Sequence, residues 1–348
     1  MKRTISLLLA AVMSLLLFAG CGSSNTTAPE TTGSESEGTE TYEKMRIKVS
    51  YTMGDNAIDG LVAAYMKEEL EKRSNGAITL ELYGNAQLAS GDQNRQIEMA
   101  IAGDTFDMGI LAEMLFAPID RRFNVTNIPF AFSGYEEAYE YADSTGGEWS
   151  KKAMEENGIK LLGTFSNGIF QLSNDVRPIH TPADMAGLKL RAIGDLNIKE
   201  VVAMGADAVN INFSELYSAL QTGACDGQMN GWLTIHDASI QEVQQYMTQL
   251  NANWLPFHIV CNLKAWNNYS EANRQLIEEV AKEAALYGRE YMYTAEENAK
   301  QSFLDSGVEI YVPTEDELEQ WRAAVKPVID EYVEVCGEEA CRAWGIID

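Results

Sequence analysis

Strand patterns and helix patterns alternate along most of the chain, and this alternation limits the choice of fold more than any other feature. In residues 47–51 and 78–83 apolar and polar side chains alternate, which is typical of strands with one buried face. Apolar residues recur at helical spacing between these two segments. A helix carrying Ile97 and a strand at 106–111 complete a βαβαβ unit, the half-unit of an open doubly wound sheet.

The second half of the chain repeats this pattern and adds a long helix. The predicted elements are strands at residues 159–165 and 188–192 and helices at 196–204, 213–222, 271–305 and from Thr314 onwards. Asn212 with Glu215 and Thr314 with Glu317 have the spacing of capping boxes, and Ser270 can cap the long helix. The alternation predicts an α/β fold with mainly parallel sheets covered by helices. The long helix exceeds most globular helices, so it can cross between two lobes.

The sequence before residue 45 has a different character. Two basic residues precede an apolar run that is too short to span a bilayer permanently and that ends just before Cys21. We therefore predict a lipoprotein signal peptide at residues 1–20, lipid attached to Cys21, and a flexible polar tether at residues 21–44. The alternative is an ordinary secretory signal in which Cys21 is incidental. If Cys21 carries lipid, the mature protein is extracytoplasmic and anchored to the cell membrane by that lipid.

Acidic residues strongly outnumber basic ones, and the formal net charge is −26. This charge argues against nucleic acid and against anionic membrane surfaces as partners. It does not exclude an anionic ligand, because screening over about 10 Å lets a local arginine in a cleft outweigh a distant negative surface.

Catalytic and metal-binding signatures are scarce. The sequence has no GxSxG, HExxH, Walker or GxGxxG motif. Its three histidines are widely separated and no CxxC occurs, so we expect neither a metal site nor a cofactor. Cys225 is the one candidate nucleophile, although a small residue at a strand end fits its surroundings better. The spacing of Cys336 and Cys341 leaves a disulfide between them open.

One charged residue stands out on a predicted strand. In residues 188–192 the two leucines share one face, and Lys189 and Arg191 share the other. The planar guanidinium of an arginine can bond both oxygens of a carboxylate, and ligands bind at the strand ends of α/β sheets. Arg191 is therefore a candidate carboxylate receptor, and the alternative is a solvated or salt-bridged arginine.

Residues 226–232 form a second cluster, in which two glycines flank Gln228 and Asn230 and Trp232 follows. An asparagine amide can both donate and accept hydrogen bonds to an acid or a hydroxyl. A bend that presents these amides to a ligand is one interpretation, and a plain turn is the other.

Several longer stretches resemble the DctP-type solute-binding proteins of tripartite ATP-independent periplasmic (TRAP) transporters. The resemblance covers nearly all of residues 45–345. Its strongest parts, in chain order, are NAQL at 85–88 with the residues that follow to 107, IPFAF at 128–132, TPADMAGLKLR at 181–191, the stretch from 204 to 230 and Trp266.

This resemblance implies a fold like that of periplasmic binding proteins, with two α/β lobes, a ligand cleft between them and a long hinge-spanning helix. We expect residues 45–167 with about 256–295 to form lobe I. Residues 168–255 with about 296–348 would then form lobe II.

The resemblance also implies a binding site. Arg191 matches the carboxylate-binding arginine of the family, Asn230 the asparagine opposite it, and Phe213 an aromatic residue lining the same cleft. The full set of candidate ligand-binding residues is Arg191, Asn230, Phe213, Phe170, Trp232, Glu113, Thr52 and Asn253. Where many members carry a second basic residue this chain has Phe170, and Met229 replaces an acidic one. These departures favour a monocarboxylate with an apolar or aromatic body over a dicarboxylate.

The resulting expectation is a receptor, not an enzyme. It would capture a small organic acid through an arginine–carboxylate pair and deliver it, as a monomer, to TRAP membrane subunits. Two other functions stay open, a secreted lipoprotein hydrolase and an ABC-type binding protein.

Overall fold

Residues 41–348, which the computed structural model describes, contain eleven strands and eleven α-helices. The elements in chain order are β1 (Met45–Tyr51), α1 (Ile58–Arg73), β2 (Ile78–Tyr83), α2 (Gln93–Ala102), β3 (Met108–Ala112), α3 (Tyr135–Ala142), α4 (Thr145–Glu156), β4 (Ile159–Ile169), β5 (Gln171–Asn174), β6 (Lys189–Ala192), α5 (Gly194–Ala203), β7 (Asp207–Asn210), α6 (Phe213–Thr222), β8 (Gly227–Asn230), α7 (Trp232–Asp237), β9 (Tyr246–Thr248), β10 (Trp254–Asn262), α8 (Leu263–Asn268), α9 (Glu271–Asp305), β11 (Glu309–Tyr311), α10 (Glu315–Cys336) and α11 (Glu338–Ala343). The predicted signal peptide, Cys21 and the tether up to residue 40 lie outside the described residues.

The strands form two mixed sheets. The first has the order β2-β1-β3-β10-β4 and the second β11-β9-β5-β8-β6-β7. β1 is parallel to β2 and β3, as the predicted βαβαβ unit requires, whereas β10 is antiparallel to β3 and β4. In the second sheet β6 is parallel to β7 and β8, and β5 is antiparallel to β8 and β9. The expectation of mainly parallel sheets is thus only partly right. The chain passes from the first sheet to the second between β4 and β5 and returns between β9 and β10. The antiparallel pairs are those of β5 and β10, the strands that follow these two crossings.

The long helix α9 lies beside both sheets. It packs against α1 and β4 next to the first sheet and against α7 next to the second. It begins at the predicted residue, because the Ser270 side chain accepts a hydrogen bond from the backbone N–H of Asn273. Within residues 41–348, neither this helix nor any other is apolar over a length that would cross a membrane. The predicted fold class, two α/β lobes with a long helix spanning them, is confirmed.

The predicted helix caps had mixed outcomes. The capping box of Thr314 and Glu317 forms in both directions at the start of α10. Asn212 is the N-cap residue of α6, but its side chain makes no capping bond, because the Glu215 N–H bonds to the Asn212 carbonyl oxygen at 3.0 Å. A capping spacing therefore identifies the helix start even where the backbone replaces the side chain.

The last helix, α11, and the tryptophan that follows it pack against α4 and two aromatic side chains. α11 contacts α4, and the Trp344 ring centroid lies 6.0 Å from that of Phe132 and 5.7 Å from that of Trp254. The predicted boundaries of the two lobes remain a prediction. Cys336 and Cys341 are both buried free thiols.

Candidate ligand-binding site

The carboxyl ends of the central strands of both sheets carry the candidate binding residues. β6 and β8 are parallel neighbours, with Arg191 near the end of β6 and Asn230 at the end of β8. In the first sheet Thr52 follows the last residue of β1, and Met114 follows the end of β3. Ligands bind at this edge of open α/β sheets, because the loops there leave a crevice.

These residues surround one cavity with an empty volume of about 390 Å³. The lining residues are Thr52, Met53, Gln93, Ala112, Met114, Leu115, Asn167, Phe170, Arg191, Ile193, Phe213, Asn230, Thr234, Leu255 and Phe257. The wall is largely apolar and aromatic, with one basic side chain and no carboxylate.

Arg191 is buried without an anionic partner. It is 6 % exposed, and its Nε donates to the Ile211 carbonyl oxygen at 2.9 Å. Among the ion pairs of residues 41–348, none includes Arg191. Burial lowers the pKa of its guanidinium to about 10, because the protein offers no carboxylate to offset the lost hydration. The arrangement suits an anion that enters the cavity and forms the missing pair.

A chain of amides and hydroxyls holds Asn230 in place at the cavity wall. The Asn230 Nδ2 donates to Gln228 Oε1, and the Gln228 Nε2 donates to Ser173 Oγ at 2.8 Å. All three residues are buried, and Gln228 lies between Ser173 and Arg191 in the strand register. The polar row therefore fixes the Asn230 amide beside the arginine strand.

Two hydrogen bonds join the opposite walls of the cleft. The Phe213 N–H at the start of α6 donates to Gln93 Oε1 at 3.1 Å, and Ser214 Oγ donates to the Gly91 carbonyl oxygen at 3.1 Å. On the first-sheet side, Thr52 Oγ1 donates to Gln96 Oε1 at 3.2 Å. The two walls are thus in direct contact, and the cavity is narrow.

The structure brings five of the eight candidate residues together around this cavity, namely Arg191, Asn230, Phe213, Phe170 and Thr52. The other three have different surroundings. Glu113 is buried on the far side of its turn, where it accepts hydrogen bonds from Thr126 at 3.0 Å and Ser150 at 3.2 Å. Its neighbours Ala112 and Met114 line the cavity instead. The direction of one side chain in a tight turn therefore decides its role.

Trp232 and Asn253 also lie outside the cavity wall. Trp232 packs against Phe303 with 5.7 Å between ring centroids, among apolar side chains that include Ile235. The Asn253 Nδ2 donates to the Asn127 carbonyl oxygen at 2.9 Å and to Glu200 Oε2 at 3.1 Å. Both residues therefore connect structural elements and do not line the cavity.

The sequence interpretation missed Gln93 and Asn167, which both line the cavity. Gln93 is the first residue of α2. Since helices that follow parallel strands begin at the ligand edge of the sheet, its position was the available signal. Asn167 precedes Gly168, whose φ of +111° allows the chain to bend between the two sheets. An Asn-Gly pair at the boundary predicted between the two lobes was the corresponding signal.

Cys225 is a buried thiol two residues before β8 and packs among apolar side chains. Burial raises its pKa, an effect only partly opposed by the nearby charge of Arg191. A nucleophilic cysteine requires the opposite shift, because the thiolate is the reactive form. Cys225 therefore has the properties of a packing residue.

Comparison with known proteins also indicates a solute-binding protein. The model of the family described as bacterial extracellular solute-binding protein, family 7 (DctP) matches residues 49–335. A solute-binding protein of Chromohalobacter salexigens is 31 % identical over 273 residues, which cover 77 % of this chain and 78 % of that protein.

Two solved structures have the same fold. A TRAP periplasmic solute-binding protein from Shewanella oneidensis with bound succinate is 27 % identical, with a TM-score of 0.81 over 86 % of this chain and 98 % of that one. One from Ralstonia eutropha with bound (S)-2-acetolactate is 25 % identical, with a TM-score of 0.82 over 86 % and 98 % of the two chains. The chain belongs to the bacterial extracellular solute-binding protein family 7, the DctP family of TRAP transporter solute-binding proteins.

Proposed function

We propose that the protein captures a small carboxylate on Arg191 and delivers it to the membrane subunits of a TRAP transporter. The observation that carries this proposal is a buried arginine with no anionic partner in a largely apolar cavity. The solved relatives with bound succinate and acetolactate support it, since both of those ligands are small carboxylates.

The free energy of a buried cation explains why the ligand should be an anion. An unpaired charge inside a protein loses its hydration without compensation, and a paired one recovers part of that loss. The guanidinium already uses its Nε on the Ile211 carbonyl oxygen. Its two terminal nitrogens can then take the two oxygens of a carboxylate as a bidentate pair.

The remaining wall limits the rest of the ligand. Arg191 is the only basic residue in the lining, and the residues near it include Phe170, Ile193 and Phe213. A second carboxylate would find no partner here, and its burial would be unfavourable. The proposed ligand is therefore a monocarboxylate with an apolar or aromatic body.

The experiment is to identify what the purified protein holds. Protein purified without added ligand is denatured, and the released small molecules are analysed by mass spectrometry. We expect a single carboxylic acid that rebinds to ligand-free protein in calorimetry. Recovery of a neutral compound that rebinds tightly would contradict the proposal.

We also propose that Cys21 carries lipid and anchors a monomeric receptor outside the cytoplasm. The apolar run that ends just before Cys21 supports this. A Cys21→Ser protein should be released into the medium or remain unprocessed, as fractionation and mass measurement would show. Processed Cys21→Ser protein that stays on the membrane would exclude the anchor.

We propose further that the two lobes close on the ligand. Contacts such as the one between Phe213 and Gln93 join the walls across the cavity, so ligand entry requires them to separate. A ligand that binds the closed form more tightly shifts the population toward it. Small-angle scattering should then show a smaller radius of gyration when the recovered ligand is added.

A further inference from the structure

Asn167 differs from the other polar residues of the cavity wall. It is 2 % exposed, and its Oδ1 is shielded from solvent with no hydrogen-bond partner. Several buried polar atoms among residues 41–348 lack a partner, and Asn167 Oδ1 is the one that belongs to a residue lining this cavity. Folded proteins rarely leave such an acceptor unpaired, and a ligand in the cavity that Asn167 lines can supply the donor.

The neighbouring amides of the wall are already engaged. Gln93 Oε1 accepts from the Phe213 N–H at 3.1 Å, and the Asn230 Nδ2 donates to Gln228. The Asn167 Nδ2 has a thioether sulfur as its acceptor, Met53 Sδ at 3.4 Å. Sulfur is a weak acceptor, so this amide gains little from the protein itself.

The backbone holds Asn167 in a defined position. Its carbonyl oxygen accepts a hydrogen bond from Thr234 Oγ1 at 3.1 Å. The next residue, Gly168, is so close to Gly231 that a Cβ there would lie 2.7 Å from the Gly231 Cα. This crossing fixes the chain on both sides of Asn167, so the amide is positioned before a ligand arrives.

We propose that Asn167 determines specificity: its Oδ1 accepts a hydrogen bond from a hydroxyl or ammonium group that the ligand carries in addition to its carboxylate. This rests on the proposed function, because the carboxylate on Arg191 orients the ligand. The ligand class is then the hydroxy- or amino-substituted monocarboxylic acids. An unsubstituted analogue leaves the acceptor buried and unpaired, which a site of this kind penalises strongly.

The space beyond the cavity supports a donor over a second carboxylate. A larger cavity shares Thr52, Met53 and Phe213 with the first, and its lining includes Asp55 and Asp237 but no lysine or arginine. Asp55 accepts a hydrogen bond from the Tyr51 hydroxyl, and Asp237 Oδ1 lies 3.1 Å from His236 Nδ1. The sign of the charged side chains thus changes along the cleft, and a ligand end that carries a second negative charge would be repelled.

The test uses pentanoate and its hydroxy and amino derivatives, substituted at each carbon in turn, with calorimetry on wild-type protein. We expect at least one hydroxy or amino derivative to bind roughly tenfold or more tightly than pentanoate, because its donor pairs the buried oxygen. The oxo compound substituted at the same carbon, which cannot donate, should bind no better than pentanoate. The hydroxy and amino arms show which donor is preferred.

Variants at Asn167 assign the effect to this residue. Asn167→Leu should reduce the preference for the best derivative over pentanoate, both measured on the same variant, to less than about threefold. Asn167→Asp keeps an acceptor and should retain the preference, with the amino derivatives gaining on the hydroxy ones. It serves as the decisive variant if Asn167→Leu does not fold. A preference that persists unchanged in Asn167→Leu, or that is lost in Asn167→Asp, would overturn the assignment.

Arg191→Ala separates the two proposals. If Arg191→Ala binds none of the probes and the wild type binds all of them without preference, the Asn167 inference is wrong and the carboxylate assignment still holds. If the probes bind Arg191→Ala and the wild type with equal affinity, the assignment of the carboxylate to Arg191 is overturned. If neither pentanoate nor any derivative binds the wild type, the monocarboxylate assignment fails.

Discussion

An ionisable side chain is buried beside each of the two sheets, and the two differ in how many partners the protein gives them. Beside the first sheet, Glu113 is 0 % exposed, accepts hydrogen bonds from Thr126 and Ser150, and lies 3.2 Å from His258 Nε2. Beside the second sheet, Arg191 is 6 % exposed and has one backbone acceptor and no ion pair. The first charge is compensated within the protein, and the second is not.

This contrast separates structural charges from binding charges. A buried charge that is fully hydrogen-bonded within the chain maintains the fold, and removing its partner destabilises the protein. A buried charge that lacks a partner lowers the stability of the ligand-free protein and gains its partner when ligand binds. Burial alone therefore does not identify a binding residue. A buried charged side chain is a candidate when it has few hydrogen-bond or ion-pair partners within the protein.

Glu113→Ala should have the largest effect, and the effect should be on stability. It leaves Thr126 and Ser150 without their common acceptor in a dry environment next to His258. Each buried donor left unpaired costs about 1–3 kcal/mol of the free energy of unfolding, so the two together cost about 2–6 kcal/mol. Denaturant titration measures the loss. Glu113→Gln, which retains an oxygen acceptor, is the matched control and should lose less.

Calorimetry on the same variant sharpens the contrast. At a temperature where Glu113→Ala is folded, its affinity for the recovered ligand should stay within about threefold of wild type, a difference under 1 kcal/mol. A loss of affinity similar to that of an Arg191 variant would break the division between the two charges.

Arg191→Met should show the opposite behaviour. The ligand carboxylate would be buried without its partner, which costs about 2–5 kcal/mol, so affinity should fall roughly 30-fold or more. Because an unpaired buried charge is replaced by an apolar chain, the ligand-free protein should unfold at the same or a higher temperature. Arg191→Lys keeps the charge but loses the planar fork, and it should also bind poorly.

Much of the fold could be predicted from periodicity. The limits of α6 and α9 were predicted to the residue, because a cap residue precedes each and the apolar spacing is regular. The antiparallel strands were not predicted, because a crossing between sheets is a property of the whole chain and leaves no local pattern. The packing of Trp344 on Phe132 is missed for the same reason.

Arg191 could be predicted from its strand, where alternation determines the face. Asn230 was expected in a bend or a turn but lies at the end of β8, so its place at the site was predicted from the family resemblance and not from local pattern. Glu113 lies in a turn, where neighbouring side chains point to different surroundings and the sequence does not say which. Asn167 lacked any strong residue-type signal, since its importance depends on an unpaired atom that only the three-dimensional structure reveals.

A third buried ionisable side chain, that of Glu200, is only partly hydrogen-bonded and should make stability depend on pH. It is 0 % exposed and accepts from Asn197 Nδ2 at 3.0 Å and Asn253 Nδ2 at 3.1 Å, but its Oε1 has no partner. Burial raises the pKa of its carboxyl from 4.5 to about 8. The folded protein therefore keeps this proton at pH values where the unfolded chain has lost it.

The sign of the effect follows from linkage. Below about pH 4.5 both states are protonated, and between that pH and about 8 the unfolded state alone is ionised, so stability falls as pH rises. The slope should approach about 1.4 kcal/mol per pH unit. Asp59 and Glu296, whose pKa values are raised to about 7 by burial, contribute with the same sign. Subtracting the Glu200→Gln curve from the wild-type curve isolates Glu200, and coincident curves would contradict this role.

Asn230→Ala should have the smallest effect. It tests whether the hydrogen-bonded row of Asn230, Gln228 and Ser173 takes part in ligand binding or only in stability. Its amide lines the cavity beside the arginine strand and is held by Gln228. A neutral hydrogen bond contributes only about 0.5–1.5 kcal/mol, so affinity should fall roughly 2- to 12-fold. Asn174 is the matched control, because it is equally buried on the neighbouring strand β5 but bonds to the backbone N–H groups of Val176 and Arg177. Asn174→Ala should reduce the unfolding temperature and leave calorimetric affinity unchanged. If the two asparagine variants lose affinity equally, the row is a structural network, and Arg191 alone holds the ligand's polar end.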